Sequence, residues 1–138
     1  MEPASVIGIL AFGLHVSRRL YHLYDTAAGA GDDVASLCGS AKALTSILHL
    51  IQGTLENARN SEALVNSVRH NIAGCEAGLA RLGKKLQKIQ RLSSEPAVLN
   101  LPVRLRYAFQ GKTLAKLNAI IHGDLLGNLR LALAALNL

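Results

Sequence analysis

Three features of this chain predict an all-α fold, an up-and-down bundle of four long helices plus a short extra helix. Half of the 138 residues are hydrophobic and the mean hydropathy is +0.26, enough apolar material for one continuous core and a single domain over residues 1–138. Aromatic residues make up only 4%, with no Trp, so Leu and Ala carry the aliphatic load, as helix packing favours and strands do not. Along most of the chain the apolar residues recur at intervals of three and four.

The first helix is expected from about Pro3, whose fixed φ suits an opening turn, to about Asp25, ahead of the small-residue break Thr26 to Gly31. Asp32 and Asp33 are placed to cap the second, in which Val34, Leu37, Ala41, Leu44, Leu48, Ile51 and Leu55 form one apolar stripe ending near Arg59 and Asn60. The third has the cleanest register, Val65, Val68, Ile72, Cys75, Leu79, Leu82, Leu86 and Ile89, and reads as one uninterrupted helix that needs partner helices. Ser93, Ser94, Glu95 and Pro96 break it, the stretch to Leu101 reads as a loop, and Pro102 can open a short helix through Phe109. After a joint at Gly111, a final helix from about Thr113 to the end carries Leu114, Leu117, Ile121, Leu125, Leu129, Ala132 and Leu136. Gly123 and Gly127 weaken it by up to about 1 kcal/mol each relative to Ala.

The opening segment is the most unusual. Pro3 to Ser17 is fifteen residues without a formally charged side chain, followed at once by Arg18 and Arg19. Fifteen helical residues span roughly 22 Å, short of the ~20 residues that a hydrocarbon layer about 30 Å thick requires. The segment is therefore too apolar for an ordinary surface helix and too short for a comfortable span. Val6 to Val16 is like the apolar part of a signal peptide, with Ala28, Gly29 and Ala30 as a cleavage site, but Glu2 stands where positive charge belongs, and Arg18, Arg19, His22 and Asp25 intervene. An unprocessed, intracellular chain is expected. Ala4 with Gly8, and Gly13 with Ser17, form two pairs of small residues four apart, a spacing that lets helices approach closely in a soluble bundle or in lipid.

No spacing assembles a catalytic or metal site. HExxH, P-loop, GxGxxG and GxSxG patterns are absent, and Gly29 to Asp33 reads as a turn with its cap rather than a phosphate cradle. His15 and His22 lie two turns apart, and Cys38 and Cys75 sit in apolar registers without CxxC spacing, which favours reduced core thiols. No enzyme activity, cofactor or metal is expected.

Charge is more informative. Residues 1–69 hold five Lys or Arg against six Asp or Glu, whereas residues 70–138 hold ten against three, so net −1 is followed by net +7. Arg81, Lys84, Lys85, Lys88 and Arg91 flank the apolar seam of the third helix, and Arg104, Arg106, Lys112 and Lys116 continue the basic stretch. Such a stretch can be a solvated face that aids solubility. It can equally hold a domain to an anionic leaflet, at about 1 kcal/mol per basic residue near the surface. Nucleic acid ranks below membrane, because Tyr107 and Phe109 are the only aromatics nearby and no recognition-helix signature accompanies them.

Three stretches carry a family resemblance. MEPASVIGILAFGLHVSRRLYHLYD, with Met1, Glu2, Pro3, Ser5, Gly8, Gly13, Leu20 and Tyr21, resembles the start of fungal HeLo-like domains, the N-terminal modules of many NOD-like receptor (STAND) proteins. Asp32 to Gln52 is similar to that family's second helix, and Arg104 to Leu136 to its closing helices, so the resemblance covers nearly the whole chain. It rests on apolar and small-residue patterns rather than on a catalytic signature. It implies a helical-bundle cell-death effector, similar in architecture to the necroptosis executioner's bundle and to plant resistance helical domains, whose first helix is the membrane-active element and whose trigger is oligomerisation. The inserting element would then be Val6, Ile7, Gly8, Ile9, Leu10, Phe12, Gly13, Leu14 and Val16, with Gly8 and Gly13 at helix contacts. The chain departs in carrying neither a nucleotide-binding domain nor an amyloid-like motif, so it is expected to be an excised domain or to take its trigger from another chain.

These readings combine into one expectation: a cytoplasmic bundle that moves to the plasma membrane on activation. At rest the first helix covers the second, third and last helices; clustering frees it, and Arg81, Lys84, Lys85, Lys88, Arg91, Arg104 and Arg106 hold the assembly on anionic lipid while it permeabilises the bilayer. The partners implied are anionic lipid, further copies of the chain and a receptor carrying the trigger. The alternative is a soluble oligomerisation module without membrane activity.

Overall fold

The computed structural model describes residues 5–25, 31–57, 62–93 and 111–137, and among them every regular element is helical. Helix α1 (Val6–Asp25) begins at a side-chain cap. Ser5 Oγ accepts the Gly8 amide at 3.0 Å, and the Ser5 carbonyl accepts the Ile9 amide at 2.9 Å. A hydroxyl satisfies an amide that no helical carbonyl can reach; the expected start at Pro3 lies outside the described residues. Helix α2 (Asp32–Asn57) follows, with the Gly31 carbonyl accepting the Ala35 amide and Asp32 and Asp33 in the first turn, where the helix dipole favours negative charge.

The third expected helix is interrupted. Helix α3 (Glu62–Ala73) and helix α4 (Glu76–Ser93) are joined by one tightened turn at Gly74 and Cys75, where the Cys75 amide donates to Ile72, three residues back, instead of four. The physical reason lies across the bundle. A β-carbon at Gly78 would stand 2.9 Å from Asp124 Cβ, and one at Gly74 would stand 3.1 Å from Asn128 Nδ2, so the break falls where the rod crosses the last helix at close range. The apolar register continues across the joint because Ile72, Cys75 and Leu79 are all buried.

The last helix is also not uniform. Helix α5 (Gly111–Ala119) passes into a π-helical segment, Ile120–Leu125, and then into helix α6 (Leu126–Ala135). The Leu126 amide donates to Ile121, five residues back, which widens the turn around Gly123. The helix ends at Leu136, followed by Asn137 with φ 61°, the left-handed geometry that Asn tolerates just beyond a helix. The loop after Ser93, the expected helix from Pro102 to Phe109, and the residues Arg104 and Arg106 lie outside the described residues.

With α3 and α4 taken as one interrupted rod and α5 to α6 as another, four long rods run up and down. Gly13 of α1 meets Leu48 of α2 while Ser17 meets Thr45, an antiparallel register. Gly13 also faces Leu79 and Arg19 bonds Gln90, so α4 runs parallel to α1; Arg81 pairs with Asp124 and Gly74 faces Asn128, so the last rod runs antiparallel to α4. Helix α1 packs principally on α2, α3 and α4 rather than on the last rod, which covers α2, α3 and α4 itself. Leu10, Leu20, Leu37, Leu44, Ile51, Ile72 and Leu82, all fully buried, form the centre.

Candidate functional site

Helix α1 is docked. Val6, Ile9, Leu10, Gly13, Leu14 and Val16 are buried, whereas Ile7, Gly8 and Phe12 are exposed, with Ile7 at 40% and Phe12 at 44% of their full accessibility. The nine candidate insertion residues therefore divide by helical face, six inward and three outward.

Helix α1 is held by α2, α3 and α4, and its contacts with α2 and α4 differ in chemistry. Against α2 the contact is close and internally satisfied. A β-carbon at Gly13 would stand 3.0 Å from Leu48 Cδ1, and Ser17 Oγ lies 2.9 Å from Thr45 Oγ1. Ser17 also reaches the Leu14 carbonyl at 3.2 Å, and Thr45 the Ala41 carbonyl at 2.8 Å. Each hydroxyl owns one hydrogen, so whichever way they point, both donate within this helix pair. Against α4 the contact is as close at Gly13, whose β-carbon would stand 3.2 Å from Leu79 Cδ1, and more polar elsewhere. The Phe12 ring lies over Gly83, whose β-carbon would be 3.5 Å from Phe12 Cζ, and Arg19 donates to Gln90 Oε1. Phe12, His15 and Arg19 share a small groove of about 190 Å³ with Gly83, Lys84 and Gln87.

The basic residues of α4 lie next to this groove. Arg81, Lys84, Lys88 and Arg91 are exposed and Lys85 is half-buried. Arg81, Lys84 and Lys85 line a second groove of about 550 Å³ with Lys116 of α5, over an apolar floor of Ala119 and Ile120. One carboxylate, Asp124, stands at its edge and is paired with Arg81. Lys84 belongs to both grooves, so the exposed aromatic of α1 and the cations of α4 and α5 form one continuous surface. The Arg81–Asp124 pair had no signal in the sequence, since 43 residues separate its members. Gly74 and Gly78 did carry one, two glycines four apart inside an apolar register.

A third groove of about 230 Å³ lies between α1 and α2, lined by Arg18, Tyr21, His22, Lys42, Thr45 and Ser46. Tyr21 donates its hydroxyl to Asp25, and this bond, with the nearby carboxylate charge, pushes the phenol above its ordinary range. Both thiols are buried and unpaired. Burial, reinforced by Asp25, raises Cys38, and burial raises Cys75 to about 11, so both remain protonated at neutral pH. Among the described residues no three His, Cys, Asp or Glu side chains gather as a metal site requires. Also among them, α2 alone is long and apolar enough to cross a membrane, as the core helix of a bundle can equally be. Comparison with protein-family models, curated proteins and solved structures finds no match to this chain.

Proposed function

We propose that this chain is a membrane-permeabilising effector domain of the cell-death type, activated by oligomerisation, recruited by anionic lipid and acting through insertion of its first helix. The observation that carries the reading is the position of Phe12, an exposed aromatic within the charge-free first twelve residues of α1, packed over Gly83 beside Lys84. An apolar side chain and a cluster of cations on one surface suit the boundary between acyl chains and phosphates, where the first finds hydrocarbon and the second finds negative charge. Burial of α1 at rest is compatible with later insertion. A Leu or Phe side chain is stabilised by roughly 1.5–3 kcal/mol on leaving water for either protein or lipid, so a modest bias from clustering can move the equilibrium.

The experiment is dye release from vesicles of phosphatidylserine and phosphatidylcholine, and of phosphatidylcholine alone, by the chain free or clustered on streptavidin through a terminal biotin. Release that needs anionic lipid and is lost in the triple reversal Lys84→Glu, Lys85→Glu, Lys88→Glu supports the reading. No release from either vesicle, even when clustered, overturns it and leaves the soluble oligomerisation module.

A further inference from the structure

We infer that the groove between α4 and α5 is a site for one lipid with a phosphomonoester headgroup, its phosphate held by Lys84, Lys85 and Lys116 and the start of its acyl chain lying on Ala119 and Ile120. This rests on the membrane reading above and names the lipid that recruits the chain.

Packing brings these cations together from two helices. Gly74 faces Asn128 and Gly78 faces Asp124, so each step forward on α4 is met by a step back on the last rod. Continued along the rods, that register sets Lys84 and Lys85 level with the stretch from Lys116 to Ala119, and all four residues line the groove of about 550 Å³. Like charges facing each other across two helices repel, and an anion seated between them turns the repulsion into attraction. No acid within the groove does this for the lysines. Among the residues that line it the one carboxylate is Asp124, which Arg81 already engages.

The lining also selects the kind of anion. Lysine is a compact charge with rotatable donors on a flexible stem, suited to phosphate oxygens. A phosphomonoester carries nearly two negative charges at neutral pH and three unsubstituted oxygens, enough for three ammonium groups. The phosphodiester of phosphatidylserine offers fewer oxygens and less charge. The floor is apolar, with Ala119 exposed and Ile120 beneath it, and Lys85 is half-buried, the posture of a lysine whose stem adds to such a floor while its ammonium stays at the rim. Inorganic phosphate has nothing to cover that floor, whereas an acyl chain does. Ligand sites commonly have about 300–1,000 Å³, so this groove takes a headgroup and the first part of a chain, the rest staying in the bilayer. Lys84 also borders the groove of Phe12, so a lipid held here lies beside the aromatic proposed to meet the membrane.

The probe is dihexanoyl phosphatidic acid below its micelle concentration, titrated calorimetrically into the whole chain beside dihexanoyl phosphatidylcholine and inorganic phosphate. Saturable binding of one molecule per chain is expected for the first and none for the other two. Lys116→Glu should weaken it by roughly tenfold or more, the effect of losing a hydrogen bond between charged groups. Ala119→Trp fills the floor at an exposed position without changing charge and should weaken binding as much while keeping the wild-type thermal midpoint. Lys112→Glu alters the charge of the same helix equally but at a residue outside the groove lining, and should leave the affinity nearly unchanged.

Equal losses in Lys112→Glu and Lys116→Glu, or full affinity in a folded Ala119→Trp protein, overturn the site in favour of diffuse surface charge. Inorganic phosphate binding as tightly as the lipid overturns the lipid as occupant, and absence of binding by all three probes overturns the site outright. The membrane reading fails separately: a chain that binds the short lipid in the expected pattern yet releases no dye when clustered keeps the site and loses that reading.

Discussion

Gly13 of α1 faces Leu48 of α2 so closely that a β-carbon on the glycine would stand 3.0 Å from Leu48 Cδ1 and 3.2 Å from Leu79 Cδ1. The two leucines come from different rods, so this one position sets how deeply α1 sinks between α2 and α4. Gly13→Val should lower unfolding free energy by about 1–3 kcal/mol, the usual cost of overpacking. Gly39, in the interior of α2 with nothing within 4 Å of an added β-carbon, should behave in the opposite way. Gly39→Ala should stabilise by up to about 1 kcal/mol through helix propensity. Urea denaturation followed by circular dichroism separates the two signs.

Gly78 is tighter than Gly13, and its nearest neighbour is less able to move. An added β-carbon would meet Asp124 Cβ, fixed to the backbone of the π segment, at 2.9 Å. Gly78→Ala should cost about 1–3 kcal/mol. Gly74→Ala should cost less, because the nearest atoms belong to the amide end of Asn128, which can rotate away. The same denaturation series tests the order.

Leu10 and Phe12 are two residues apart on α1 but sit on opposite sides of its docking surface, 0% and 44% exposed. A lysine at position 10 places an unpaired charge in the core and should destabilise the fold by several kcal/mol. Loss of leakage in Leu10→Lys would then report unfolding rather than failed insertion. Phe12→Glu is the sharper variant. It should keep the wild-type thermal midpoint within a few degrees and abolish vesicle leakage, and full leakage by a folded Phe12→Glu protein would contradict insertion through this face.

The Cys75 thiol gives a pH dependence with a definite sign. Burial raises it to about 11, so across the interval from its ordinary value of 9.0 the folded chain keeps a proton that the unfolded chain has lost. The unfolded state binds fewer protons there, and stability falls as pH rises through that window, by at most about 1.4 kcal/mol per pH unit for one group. Below pH 8 this thiol contributes no slope. Comparing wild type with Cys75→Ala in urea between pH 8 and 11 isolates it: the wild type should lose stability faster.

The bundle was readable because its determinants are local. The stripe Val34, Leu37, Ala41, Leu44, Leu48, Ile51, Leu55 forms an apolar face on any helix that contains it, and all seven residues are buried. The register of Val68, Ile72, Cys75, Leu79, Leu82, Leu86 and Ile89 survives the joint at Gly74 for the same reason, although the joint itself was missed. The break answers neighbours some fifty residues away, Asp124 and Asn128, and periodicity carries no information about the distance between two rods.

The sequence by itself determined the helical class, the burial of both thiols, the charge-free opening segment and the concentration of cations in the second half, because composition and spacing act within one helix. Only the tertiary structure decided which face of α1 points outward, that Phe12 comes to rest beside Lys84, that Asp124 pairs with Arg81, and that Ser17 finds Thr45. These are contacts between helices far apart in the chain. Rotation and depth of each rod are set by the shapes of the side chains it meets, above all where a glycine lets a partner come close.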